Sequence, residues 1–154
     1  MSRRIKYPER REARISAMQI LYGLEFVPKD ISTAVEDFCE RYPQRNKARA
    51  YLDTLMRLYT EHEEEINHAI SASLASWTVD RVGKVEMAML RVAVTELLYG
   101  SDVPPAVVMD EAIEITKQFA AEDAPRFING LLDRIQTRYL AGEHITPEQS
   151  SEQF

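Results

Sequence analysis

Gly83-Lys84-Val85-Glu86-Met87-Ala88-Met89-Leu90-Arg91-Val92-Ala93-Val94-Thr95-Glu96-Leu97-Leu98-Tyr99 decides the fold. Its apolar residues surround the whole circumference of a 3.6-residue helix, and a helix apolar nearly all round is a buried one. The segment therefore predicts a central helix that other elements must cover on every side. Glu86, Arg91 and Glu96 stand out as its polar exceptions. Gly100 supplies a stop, and Pro104-Pro105 opens a further helix over Ala106–Phe119, with Asp110 and Glu111 early and Lys117 late, as the helix dipole prefers.

Working outward, the chain reads as helical from end to end. It has five glycines in 154 residues, and no alternating strand pattern bounded by hairpin dipeptides. A first helix follows Pro8 and continues to about Phe26, ahead of Pro28. Its apolar residues fall on two stripes, Ala13, Ala17, Ile20, Leu21 and Leu24 on one side and Ile15, Met18, Tyr22 and Phe26 on the other, so neighbours are expected on both. Asp30 or Ser32 caps a short second helix ending near Arg41, before Pro43. A third starts near Asn46 and carries Tyr51, Leu52, Leu55, Met56 and Tyr59. Thr60 with Glu63 fits a capping box, which places a break there and a fourth helix to about Leu74. A loop through Trp77 and Asp80 leads to the central helix. The seventh begins at Asp123-Ala124-Pro125 and carries Phe127, Ile128, Leu131, Leu132, Ile135 and Tyr139. The predicted class is all-α, with seven helical segments in one domain or two tightly packed halves of about 9–75 and 76–140. A basic arm spans 1–8 and the helical domain 9–140. The 141–154 tail, rich in Ser, Glu and Gln, reads as disordered.

Charge is distributed unevenly. Six basic residues against two acids in the first fourteen give +4 locally, in a chain whose net charge is -6. Such polarity signals a partner. Arg11, Arg14, Met18 and Tyr22 follow one another at helical spacing, aligning two guanidinium groups with a thioether and a phenol, a set suited to single-stranded RNA. A solvated basic tail is the competing reading. A second cluster, Arg41, Arg45, Lys47 and Arg49, reads as a solvated helix face. Asn129-Gly130 is unusual inside a helix, where glycine costs about 1 kcal/mol relative to alanine. Either close helix packing or a ligand-facing backbone beside Arg126 and Phe127 explains it.

Several function classes recede. Lone Cys39 closes no internal disulfide, and His62, His68 and His144 lack metal-site spacing, so no metal or cofactor is expected. There is no Gly-rich phosphate loop and no Ser/His/Asp or Cys/His set, so no catalytic residue is assigned and an enzyme is the weakest class. No apolar run approaches the roughly 20 residues that span a bilayer, and the basic start lacks a secretory apolar core. A cytoplasmic protein without a membrane partner is expected.

Three motifs together resemble the NusB family: Arg10-Arg11-x-x-Arg14-x-x-Ala17-Met18-Gln19-x-Leu21-Tyr22; the Trp77–Arg91 stretch with Glu86 and Leu90-Arg91; and Asp110-Glu111-Ala112-Ile113-Glu114-x-x-Lys117-x-Phe119 followed by Glu122-Asp123-x-x-Arg126-Phe127-x-Asn129-Gly130-x-Leu132-Asp133. The resemblance runs from about Glu9 to Tyr139. It implies an all-α, seven-helix fold in two packed helical subdomains, and a non-enzymatic transcription antitermination factor that pairs with ribosomal protein NusE, binds the boxA element of nascent ribosomal RNA leaders and acts, indirectly, on the elongating RNA polymerase. By the same resemblance Arg10, Arg11 and Arg14 would contact RNA phosphates. Gln19 and Tyr22 share their helix, and Arg126, Phe127 and Asn129 form a second RNA-facing segment with Asp123, an acid, at its edge. Glu86 would face the protein partner and Arg91 the RNA. A homodimer of the free protein is compatible with this picture. Glu12 interrupts the arginine run and lowers the local field, which Arg3, Arg4 and Lys6 can offset from the arm. The alternative is a protein-interaction scaffold with no direct RNA role.

Overall fold

The segment that reads as buried forms the axis of the molecule. The computed structural model describes residues 7–74 and 81–140. Within them run α1 Pro8–Leu24, α2 Ile31–Arg41, α3 Asn46–Glu61, α4 Glu63–Ser73, α5 Lys84–Tyr99, α6 Pro105–Phe119 and α7 Ala124–Tyr139, with no strand among the described residues. Arg3, Arg4, Lys6, Trp77, Asp80 and the 141–154 tail lie outside the described residues.

On α5, Met87 to Leu90 and Val92 to Leu97 are all buried, and α1, α3, α4, α6 and α7 pack around it. One apolar core joins residues of all seven helices. Its large members Leu52, Ile66, Leu90, Ile115 and Leu132 are fully enclosed, each contributing about 1.5–3 kcal/mol by leaving water. α1 is covered by α3 and α5, and the fully buried Ala13 and Ala17 let those neighbours approach its backbone closely. α6 and α7 pair with each other and close the other side of α5.

The helix ends differ from the sequence reading in two places. α1 stops at Leu24, so Phe26 and Val27 stand in solvent ahead of Pro28 instead of extending the helix. The break between α3 and α4 falls at His62, two residues after Thr60. Thr60 is not a cap: its hydroxyl donates to the Met56 carbonyl at 2.7 Å, one turn back in its own helix, an alternative always open to threonine. The acidic residues Glu63, Glu64 and Glu65 do occupy the first turn of α4, where the helix dipole favours them.

Candidate nucleic-acid interface

The three α1 arginines meet three different environments. Arg14 is 4% exposed. Its Nε donates to Glu96 Oε1 and its Nη2 to Glu96 Oε2, both at 2.7 Å, while Nη1 donates to Glu111 Oε1 at 2.9 Å. The Tyr51 hydroxyl donates to the same Glu96 carboxylate. Burial opposes the Arg14 charge, but the hydrogen bonds and charge of Glu96 outweigh it and raise the guanidinium pKa. Burial, followed by the Glu96 charge, also pushes the Tyr51 phenol well above its ordinary value, so it remains a donor. The expectation that Arg14 contacts phosphate is thereby corrected. The stripe Arg11, Arg14, Met18, Tyr22 does not stay on the surface, since Arg14 and Met18 pass beneath α5 and its neighbours. Arg14 is a brace.

Arg11 is half-buried, and its Nε donates to both oxygens of Glu111 at 3.1 Å, with Nη2 on Oε2 as well. Glu111 thus binds Arg11 and Arg14 together, fixing the start of α1 to α6. Arg10 reaches the open end. Its guanidinium lies over the rings of Tyr7 and Tyr51, 4.7 and 4.8 Å from their centroids, and its Nη2 donates to Asp102 at 2.7 Å. Asp102 is exposed, and exposed pairs of this type contribute little and exchange readily. Arg10 thus sits against two phenols and is paired with an exposed anion.

The second segment lies beyond α6. Asp123, Arg126 and Asn129 are exposed at the start of α7, and Phe127 is half-buried against the core edge. Gly130 is exposed, and a Cβ there would meet nothing within 4 Å. Close helix packing therefore does not explain Asn129-Gly130, and the unobstructed backbone faces solvent.

Tyr22, Gln19, Arg91 and Glu86 lie elsewhere. Gln19 and Tyr22 are exposed farther along α1, Tyr22 being about 18 Å from Arg10 at 1.5 Å per residue. The Tyr22 ring packs edge-on against Phe26, centroids 5.0 Å apart, and Lys84 Nζ sits 5.3 Å from the Phe26 ring centre. Two residues further along α5, the Glu86 carboxylate is folded over Gly83, where any Cβ would collide with it. Tyr22, Phe26 and Lys84 thus meet at one corner of the fold, next to the exposed Val27, while Glu86 lies over Gly83. Arg91 is not an open cation. It donates to Glu25 Oε1 at 2.6 Å and Asn67 Oδ1 at 2.9 Å, and Asn67 donates in turn to the Tyr59 hydroxyl at 3.2 Å. This chain ties the end of α1 to α3, α4 and α5 at a cleft of about 580 Å³.

Sequence reasoning missed Asp102 and Tyr51 as partners of the arginines. For Glu96 a signal existed, because a carboxylate in a helix buried all round requires a cation. Among the described residues no group of three metal-ligating side chains is brought together, and no helix is long and apolar enough to cross a membrane.

The NusB family model matches residues 11–137. A transcription antitermination protein NusB from Geobacter sulfurreducens is 39% identical over 127 residues, covering 82% of this chain and 92% of that one. The solved structure of T. maritima NusB superposes with a TM-score of 0.76 at 33% identity, covering 92% of this chain and 96% of that one. A structure of NusB and NusE in complex with double-stranded RNA superposes with a TM-score of 0.77 at 29% identity, covering 84% and 97%.

Proposed function

The chain belongs to the NusB family of transcription antitermination proteins, which is non-enzymatic, and from that premise we propose how its surfaces divide the work. The start of α1 and the start of α7 hold single-stranded, boxA-type leader RNA. The corner formed by Tyr22, Phe26 and Lys84, with Val27 beside it and Glu86 near the start of the same α5, receives a NusE-type ribosomal protein. The pair then joins the elongating RNA polymerase in the cytoplasm and suppresses premature termination during ribosomal RNA transcription.

The observation that carries the RNA assignment is Arg10, held against the Tyr7 and Tyr51 rings and paired with an exposed carboxylate. A phosphate that replaces Asp102 gains an ordered guanidinium, and a base gains an exposed phenol on which to stack. Arg11 supplies a second contact, Arg126 and Asn129 contact backbone and base edges, and Phe127 borders the track. Gln19 lies on the exposed α1 face between the two surfaces. Arg91 supports the corner through Glu25 without touching RNA. The corner suits a protein partner because it is an exposed aromatic patch rimmed by charge. It takes Tyr22 away from the RNA set, in which the sequence had placed it.

Salt dependence tests this. If four to six phosphates are neutralised, log affinity should fall against log salt with a slope of about -3 to -4, at roughly 0.7 per phosphate on a single strand. Replacing Arg10 and Arg11 with alanine should make it shallower by about 1.4. A slope near zero for the wild type would refute the RNA surface. One observation favours the scaffold alternative: every α1 arginine in the described structure already holds a carboxylate. In that case the double replacement would leave RNA affinity unchanged and partner binding intact. Self-association of the free protein through the RNA face would appear as a dimer mass that RNA dissociates.

A further inference from the structure

Between Arg41 and Arg49 the chain reads Arg41-Tyr42-Pro43-Gln44-Arg45-Asn46-Lys47-Ala48-Arg49, four bases and no acid. As sequence it resembles a solvated helix face, and the fold spreads it over the end of α2, the connection and the first turn of α3, with Arg41, Arg45 and Lys47 exposed. Arg45 donates from Nε to Glu12 Oε2 at 3.2 Å across 33 residues of chain. Gln44 fastens the connection to α1: its Oε1 accepts from the Ser16 hydroxyl at 3.1 Å, and its Nε2 donates to the Tyr42 carbonyl at 2.7 Å. The α2–α3 connection therefore lies along the flank of α1 opposite the one that Arg11 ties to α6. Glu12, which weakens the arginine run in the sequence, is partnered by this loop.

Lys47 stands one turn before Tyr51 on α3, on the same face, and the Tyr51 ring carries the Arg10 guanidinium. Tyr7, Arg10 and Lys47 thus lead toward the loop. Arg49 is spent on Glu36 and Asp53. Arg41 and Lys47 are exposed and have no ion-pair partner among the described residues. Between them Tyr42 is 54% exposed. Its ring is supported by Phe38, centroids 5.0 Å apart and tilted 44°, which leaves the remainder open to solvent. A supported, open phenol flanked by uncompensated cations matches the chemistry of single-strand binding, where bases stack on aromatic side chains and cations follow the backbone.

We propose that the α2–α3 connection is an extension site for single-stranded RNA, taking nucleotides that flank the element held at Arg10 and Arg11. Tyr42 stacks one base, and Arg41 and Lys47 contact the adjoining phosphates. This rests on the RNA reading of α1, and it is not sequence-selective, because phosphate contacts and stacking discriminate weakly among bases.

The test uses the full chain and two kinds of labelled RNA in fluorescence anisotropy. One is a boxA-length oligonucleotide, and the other, made in two versions, is the same oligonucleotide lengthened at one end or the other by about six unpaired pyrimidines, a length within a single-strand site. The longer RNA should bind wild type at least about fivefold more tightly, the lower bound for one stacked base, with a salt slope steeper by about 1.4 for two added phosphates. Tyr42→Ala should abolish the fivefold gain, and Arg41→Gln with Lys47→Gln the added slope, while the short RNA binds every variant as it binds wild type. All three side chains are exposed, and unchanged short-RNA affinity reports an intact fold. Equal affinity of wild type for the short and long RNAs, or a gain that survives in the variants, overturns the extension site and leaves the α1 reading standing. Failure of both RNAs to bind overturns both. Binding of polyglutamate that competes with the long RNA and is lost in the same variants would reassign the surface to an acidic protein segment.

Discussion

Replacing Arg14 with methionine separates a brace from an RNA ligand. The substitution removes three hydrogen bonds and leaves Glu96, whose side chain is 1% exposed, with only the Tyr51 hydroxyl for support. Breaking a buried pair from one side costs about 3–5 kcal/mol, because the remaining charge has neither water nor counterion. That is a large part of the roughly 5–15 kcal/mol that holds a typical domain together. In a chain of this length the melting temperature should fall by roughly 6–20 °C, at about 2–4 °C per kcal/mol. Arg14→Met with Glu96→Leu removes both charges at similar volume and should recover most of the loss, leaving the Tyr51 hydroxyl to find water while Arg11 still donates to both Glu111 oxygens. Urea denaturation followed by circular dichroism measures the stabilities, and anisotropy well below the melting point measures RNA affinity. The double variant should bind RNA within about twofold of wild type, whereas Arg11→Ala should weaken binding by more. An Arg14→Met cost below about 1 kcal/mol would show the pair to be solvated. A double variant that is stable yet loses as much RNA affinity as Arg11→Ala would return Arg14 to the RNA surface.

Other perturbations address separate parts of the account. Asp123→Asn removes an exposed negative charge three residues before Arg126 and should tighten RNA binding roughly two- to fivefold at low salt, with the gain shrinking as salt screens it; unchanged or weaker affinity at matched salt would contradict this. Gly130→Ala fills open space in an exposed helix interior and should stabilise the protein by about 0.5–1 kcal/mol. It should also weaken RNA binding if the bare backbone lies against the ligand, so a stability gain without loss of affinity removes Gly130 from the interface. Hydrogen bonding from Arg91, with the charges of Arg91 and Lys84, holds the Glu25 carboxyl below its ordinary value of 4.5 despite some burial. Its folded pKa being lowered, the stabilisation is fully present above that ordinary value and disappears as pH falls through the folded one. Glu25→Gln should therefore flatten the decline of melting temperature between about pH 5 and 3, and an unaltered acid limb would show the pair to be inert.

What could be read in the sequence depended on whether the answer lay within one helix or between two. The apolar circumference of 83–99 announces a central helix because that property is local to the segment. Thr60 misled because its hydroxyl satisfies a cap and an in-helix carbonyl equally well, and neighbouring packing selects between them. The spacing of Arg11, Arg14 and Tyr22 is real, yet α1 is covered on two sides, so a shared stripe does not imply shared exposure. Glu96 carried the missing information: a carboxylate in a fully enclosed helix identifies Arg14 as its cation once the two are known to face one another. The second basic cluster is visible as composition, but the contact that ties its loop to α1, Arg45 meeting Glu12, joins residues far apart in the chain and has no local signal. A glycine inside a helix is visible in the sequence, and only the open space beside Gly130 distinguishes a solvent-facing backbone from a packing contact.

The central claim is that this chain holds RNA through the start of α1 and does so best with its protein partner in place. Fluorescence anisotropy of a short labelled boxA-type RNA, with and without NusE and at two salt concentrations, tests it most directly. Binding that tightens with NusE, weakens with salt and is lost on replacing Arg10 and Arg11 is the expected result. No RNA binding in either condition, with NusE still captured, would contradict the claim and identify the protein as a protein-only scaffold.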